Sequence, residues 1–66
     1  MVKVVLLPDN RVLELGKRKF KVSELLRELG MSTESAVVLR GGKPLFEWDV
    51  VGGDDEVTVY RAVSGG

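Results

Sequence analysis

Only one stretch of this chain repeats its apolar residues with a helical period, and that scarcity limits the fold more than any other feature. In Val22-Ser23-Glu24-Leu25-Leu26-Arg27-Glu28-Leu29 the residues Val22, Leu25, Leu26 and Leu29 fall at i, i+3, i+4 and i+7, forming one stripe. So brief a helix is marginal alone and must pack on a sheet. One helix covers one face of one sheet, so the expected architecture is a two-layer α+β domain. Gly30 suits the left-handed position just past the helix end. The start is less defined. Ser23 is the better intrinsic N-cap, but a cap there would leave Val22 outside the helix as a staple residue.

The remaining runs are of β type. Val2-Lys3-Val4-Val5-Leu6-Leu7 is apolar and β-branched, and Pro8-Asp9-Asn10 follows as a turn signal. Arg11-Val12-Leu13-Glu14-Leu15 alternates with period two, so the pair reads as an antiparallel hairpin with a three-residue loop. Lys3 sets the phase of the first strand: Val2, Val4 and Leu6 face the core, and Val5 and Leu7 face outward. Ala36-Val37-Val38-Leu39-Arg40 is the third strand, turning at Gly41-Gly42 into Lys43-Pro44-Leu45, which Pro44 confines to a sheet edge. Phe46 to Val51 reads as irregular or 3₁₀, tucking Trp48 against the open end of the domain. Gly52-Gly53-Asp54-Asp55 is a turn before the last strand, which begins at Val57 and carries Thr58 and Tyr60 outward. The order is summarised as ββαββ.

Composition narrows the chemistry. There is no cysteine and no histidine, which removes disulfides, thiolate sites and the commonest metal ligand and general base. Ten basic and ten acidic residues cancel, so no global field draws the chain to nucleic acid or to a membrane. The cations of Lys17-Arg18-Lys19-Phe20-Lys21 read as a solvated loop whose Phe20 packs inward, not as a nucleic-acid patch. The acids of residues 54–56 lack the spacing of a calcium loop and read as a solvated turn. The apolar run Val4 to Leu7 is too short to span a bilayer, and Lys3 leads into a strand, not a signal peptide. A soluble cytoplasmic monomer is expected, and the charged, glutamine-free composition leans thermophilic.

The last strand leads into Ala62-Val63-Ser64-Gly65-Gly66, where side chains shrink and then vanish. Glycine tolerates close backbone approach, so this tail can thread a channel too narrow for other residues. Residues 1–63 are read as the domain and 64–66 as a flexible tail. On the outer sheet face Val5, Leu7, Val38 and Tyr60 are expected to line a patch, and a contiguous apolar patch marks a docking site. Ala62 and Ser64 extend the docking set along the tail.

These features together resemble the ubiquitin-like β-grasp superfamily, and within it the prokaryotic sulfur carriers: the thiamine-pathway carrier, the small subunit of molybdopterin synthase and the small archaeal modifier proteins. Three pieces carry the resemblance: the helix from Val22 to Gly30 with its paired leucines and closing Leu-Gly, the hairpin from Val37 to Leu45, and the stretch from Gly53 to Gly66 with its Gly-Asp turn, last strand and Gly-Gly end. Members of molybdopterin synthase are usually longer, so the thiamine carrier and the small modifiers are the nearer match. The resemblance implies a carrier and not an enzyme. The Gly66 carboxylate, with Gly65 before it, would be adenylated by an E1-like enzyme that uses ATP, the carrier itself binding no cofactor and no metal. A sulfur donor would then give a thiocarboxylate, or a target-protein lysine an isopeptide. The partners implied are the activating enzyme, the sulfur donor and a sulfur-accepting synthase. Thiazole synthesis, molybdopterin assembly, tRNA thiolation and protein conjugation all stay open as destinations. The alternative of another class is a β-grasp interaction module whose glycines are incidental. The ferredoxin use of the fold is excluded by the lack of cysteine ligands.

Overall fold

The computed structural model describes residues 1–16 and 19–62. In chain order the elements are β1 (Val2–Leu7), β2 (Arg11–Leu15), β3 (Lys19–Lys21), α1 (Val22–Glu28), β4 (Ala36–Arg40), β5 (Lys43–Leu45), β6 (Val50–Gly52) and β7 (Glu56–Arg61). Five strands form a mixed sheet of order β2-β1-β7-β4-β5, and β3 pairs with β6 in a second, two-stranded sheet. β1 and β7 run parallel at the middle of the main sheet, and its other neighbours are antiparallel. This is the small α+β architecture of a β-grasp fold, with more strands along the chain than ββαββ.

Alternation explains the layering. Val2, Val4 and Leu6 of β1 and Val57 and Val59 of β7 point to one face and are buried there. Val22, Leu25 and Leu26 of α1 meet them in one cluster, with Val38, Phe20 and Val51. Leu13 and Leu15 of β2, Leu29, Met31, Ala36 and Leu45 pack around its margin. Fully burying a side chain of this size stabilises by about 1.5–3 kcal/mol. These residues are what holds so small a domain together.

The helix is bounded by two different devices. At its end Gly30 takes φ 73°. Its N–H donates to the Arg27 carbonyl at 3.0 Å, and the Met31 N–H donates to the Leu26 carbonyl at 2.8 Å. That pair of bonds is a Schellman motif, as the Leu-Gly ending leads one to expect. At the start the helix begins at Val22, so Ser23 lies inside it and is not the cap. Lys21 holds the cap position, and its ammonium has no lone pair to offer the first turn. Its own N–H donates to Glu24 Oε1 at 2.9 Å, so only half of a reciprocal capping box can form. The Val22 and Ser23 N–H groups are satisfied from a distance, by the carbonyls of Asp49 at 2.9 Å and Glu47 at 3.1 Å.

That long-range cap accounts for the first of two departures from expectation in the 46–52 region. The turn is closed by the Phe46 N–H donating to Asp49 Oδ2 at 2.6 Å and the Asp49 N–H donating to the Phe46 carbonyl at 3.0 Å. Because its carbonyls face the helix, its rings are left outside. Trp48 is therefore 64% exposed and stacked on Phe46 with centroids 5.0 Å apart, not tucked against the domain. Beyond the turn, Val50–Gly52 is a strand and not an irregular segment: Val51 inserts into the core opposite Phe20, and that shared burial joins β6 to β3. The inward Phe20 agrees with the sequence reading, but Lys19–Lys21 around it is a strand and not a solvated loop.

The hairpin tips follow their residues. Gly41 and Gly42 take φ 60° and 80°, the two positive values of a type I′ turn between β4 and β5. Pro44 sits on the edge strand β5 as expected. The acids before β7 are put to structural use, since Asp55 Oδ2 accepts from the Gly52 N–H at 3.0 Å and from Arg40 Nη1 at 3.1 Å. Arg40 Nη1 also donates to the Val50 carbonyl at 3.1 Å, tying the end of β4 to β6.

Candidate functional site

The face of the main sheet away from α1 is built by residues of opposite phase to the core. On β1 these are Lys3, Val5 and Leu7, on β2 Val12 and Glu14, and on β7 Glu56, Thr58 and Tyr60. Register places them in rows. Val5 stands beside Val12 on one side and Thr58 on the other, and Thr58 stands opposite Leu39 of β4. Leu7 stands beside Tyr60, and Tyr60 opposite Val37. A third row, Glu14, Lys3 and Glu56, is charged and bounds the apolar rows at the other end. The result is a largely apolar surface, interrupted by the hydroxyl of Thr58, in which Val12, Val37 and Tyr60 are at least half exposed.

Three of the four residues expected to line this face do so: Val5, Leu7 and Tyr60. Val38 does not. It is 1% exposed, opposite Val59 on the core side, and its neighbour Val37 takes the outward position beside Tyr60. The reason lies in β4 itself. Ala36, Val37, Val38 and Leu39 are all apolar, so no polar residue marks the phase of that strand as Lys3 marks the phase of β1. Only pairing with β7 decides it, because a shift of one residue exchanges the two faces. Val12 and Val37 are the contributors that the sequence reading missed. Val12 could have been found, since it alternates with Leu13 and Leu15, which share the inner face.

The apolar rows end at the root of the tail. Arg61 Nη2 lies 3.3 Å and 3.2 Å from the two carboxylate oxygens of Asp9, in the turn that follows Leu7. The exposed Ala62 donates its N–H to the Ser35 carbonyl at 2.8 Å, continuing the β4–β7 ladder one residue past its last pair, Ala36 with Arg61. Ser64, Gly65 and Gly66, named above as docking and attachment residues, lie with Val63 outside the described residues. No helix among the described residues is long and apolar enough to cross a membrane.

No protein-family model matches the chain. It is similar to the sulfur carrier protein TtuB of Thermus thermophilus, 39% identical over 64 residues that cover 96% of this chain and 95% of that protein. Likeness at that level along nearly the whole of both chains joins the evidence of the mixed sheet packed against α1. The chain belongs to the ubiquitin-like β-grasp sulfur-carrier family, whose members are small carriers and not enzymes.

Proposed function

We propose that this protein carries sulfur as a thiocarboxylate on Gly66 and presents it through the outer face of its main sheet. The observation that carries this reading is the near full-length likeness to a protein named as a sulfur carrier. The chemistry follows from the carboxylate. A free carboxylate is a poor electrophile, so an activating enzyme first joins it to the α-phosphorus of ATP, releasing pyrophosphate and leaving an acyl-adenylate. Sulfur delivered as hydrosulfide then attacks the carbonyl carbon, the C–S bond forms, the C–O bond to AMP breaks, AMP leaves, and loss of the S–H proton gives the thiocarboxylate. With no cysteine in the chain, covalently carried sulfur has no thiol to occupy. The same acyl-adenylate could instead pass to a lysine amine and give an isopeptide.

The docking set is Val5, Leu7 and Tyr60, with Val37 in the place first given to Val38, and with Ala62 and Ser64 leading into the tail. Apolar rows bounded by a charged row suit a partner with an apolar patch of matching size. The carrier brings the tail; ATP belongs to the activating enzyme.

The test is incubation with the cognate adenylating enzyme, ATP and a sulfur donor, followed by intact-mass spectrometry. One oxygen replaced by one sulfur, confined to the C-terminal fragment, is the expected product. Removing Gly66, or adding one residue after it, abolishes adenylation without changing the melting temperature. Gly65→Val impairs it by the steric demand of a side chain in a narrow channel. If the extended chain is activated as well as the native one without first being trimmed, the carrier reading fails and the interaction module replaces it.

A further inference from the structure

The last two described residues are each held by a different part of the chain. Arg61 is held through its side chain by Asp9, which sits 52 residues earlier in the β1–β2 turn. Ala62 is held through its backbone by Ser35, in the turn that precedes β4. The Ser35 carbonyl is itself presented by a small hydrogen-bonded turn. The Ser35 N–H donates to the Ser32 carbonyl at 3.1 Å, the Ser35 hydroxyl donates to the same carbonyl at 3.2 Å, and the Ser32 N–H donates to the Ser35 hydroxyl at 3.3 Å. Both anchors lie next to the docking rows, since Asp9 is two residues past Leu7 and Arg61 directly follows Tyr60. Core packing explains neither of them, because Arg61, Ala62, Asp9 and Ser35 all lie outside the buried cluster.

We infer that Asp9 and the 32–35 turn are positioning elements that hold the root of the carrier tail in a fixed direction relative to the docking face. This rests on the carrier reading. The physical basis is pre-organisation. Ordering a residue costs free energy at the moment of docking, and a root already held by the domain no longer incurs that cost in the complex. The backbone bond at Ala62 sets where the chain leaves the sheet. The Asp9–Arg61 pair holds the preceding side chain toward the β1–β2 turn. Both groups of the pair are well exposed, so its effect on overall stability is small. Its effect falls on the docking step, where the tail must be ordered.

The experiment uses the full chain with its cognate activating enzyme. Amide hydrogen exchange comes first: the Ala62 amide of the native chain is protected, and Asp9→Ala lowers that protection while the core amides are unchanged. Exchange of the native Ala62 amide at the rate of an unstructured peptide would overturn the proposal. In steady-state adenylation, Asp9→Asn raises the KM for the carrier about two- to fivefold with kcat unchanged, the range of an exposed ion pair. Asp9→Glu restores most of that loss, and the melting temperature stays within that of the native chain. The double charge exchange, Asp9→Arg with Arg61→Asp, recovers KM relative to Arg61→Asp alone. A double variant no better than Arg61→Asp would mean that Arg61 acts by touching the partner, and the positioning role would be withdrawn. A native chain that is not adenylated at all defeats the carrier reading; a native chain that is adenylated with an Asp9→Asn variant equal to it defeats only this inference.

Discussion

Replacing Val38 or Val37 by aspartate separates the two faces of β4 with a single-residue difference. Val38 is 1% exposed and Val37 is 50% exposed, although they are adjacent and chemically identical. Val38→Asp forfeits about 1.5–3 kcal/mol of apolar burial. It also places a carboxylate opposite Val59 and Leu45, in a cluster that holds no buried polar or charged side chain among the described residues, which costs about 1–3 kcal/mol or more. A domain of this size has a total stability of about 3–10 kcal/mol at the usual 0.05–0.15 kcal/mol per residue. Val38→Asp is therefore expected to remove a large share of the stability of the chain and to lower its urea midpoint sharply. Val37→Asp loses only β-propensity and its contact with Tyr60, within about 1 kcal/mol. It keeps its fold while Kd for the activating enzyme weakens on the order of tenfold, because a desolvated carboxylate would enter an apolar contact. Urea denaturation followed by circular dichroism reads the first effect, and titration calorimetry with the activating enzyme reads the second. A Val38→Asp chain that unfolds at the native urea midpoint would refute the β4–β7 register and with it the assignment of the docking face.

Leu26→Ala, which opens a cavity under the helix at a 2% exposed position, is expected to destabilise by roughly 2–5 kcal/mol in the same urea assay. Tyr60→Ala leaves the urea midpoint near that of the native chain and weakens binding to the activating enzyme; unchanged binding would remove Tyr60 from the docking set. A chain in which all five lysines, Lys3, Lys17, Lys19, Lys21 and Lys43, are replaced by arginine keeps its full sulfur transfer if the thiocarboxylate is the product, and loss of transfer in a folded variant would assign the lysines a part in it.

Local signals were enough wherever the cause of a structure lies within a few residues of it. The stripe Val22, Leu25, Leu26, Leu29 yields the helix, and Leu29-Gly30 yields its ending, because a Schellman motif is closed by residues five apart. Lys3 and Glu14 mark the phases of β1 and β2, and two adjacent glycines produce the turn between β4 and β5. The likeness to a carrier family was legible for the same reason, since its pieces are continuous segments. Tertiary structure decided whatever depends on a partner far along the chain. β3 and β6 are three residues each and pair only because Phe20 and Val51 share the core, so neither run reads as a strand alone. The helix start is capped by carbonyls more than twenty residues away, which left Trp48 outside and made the intrinsic preference of Ser23 irrelevant. The face of β4 was open in an unbroken apolar run until pairing with β7 set Val38 inward opposite Val59 and left Val37 on the outer face of the sheet. The hold of Asp9 on Arg61 has no local trace at all, because two charges 52 residues apart become neighbours only when β1 and β7 pair in parallel.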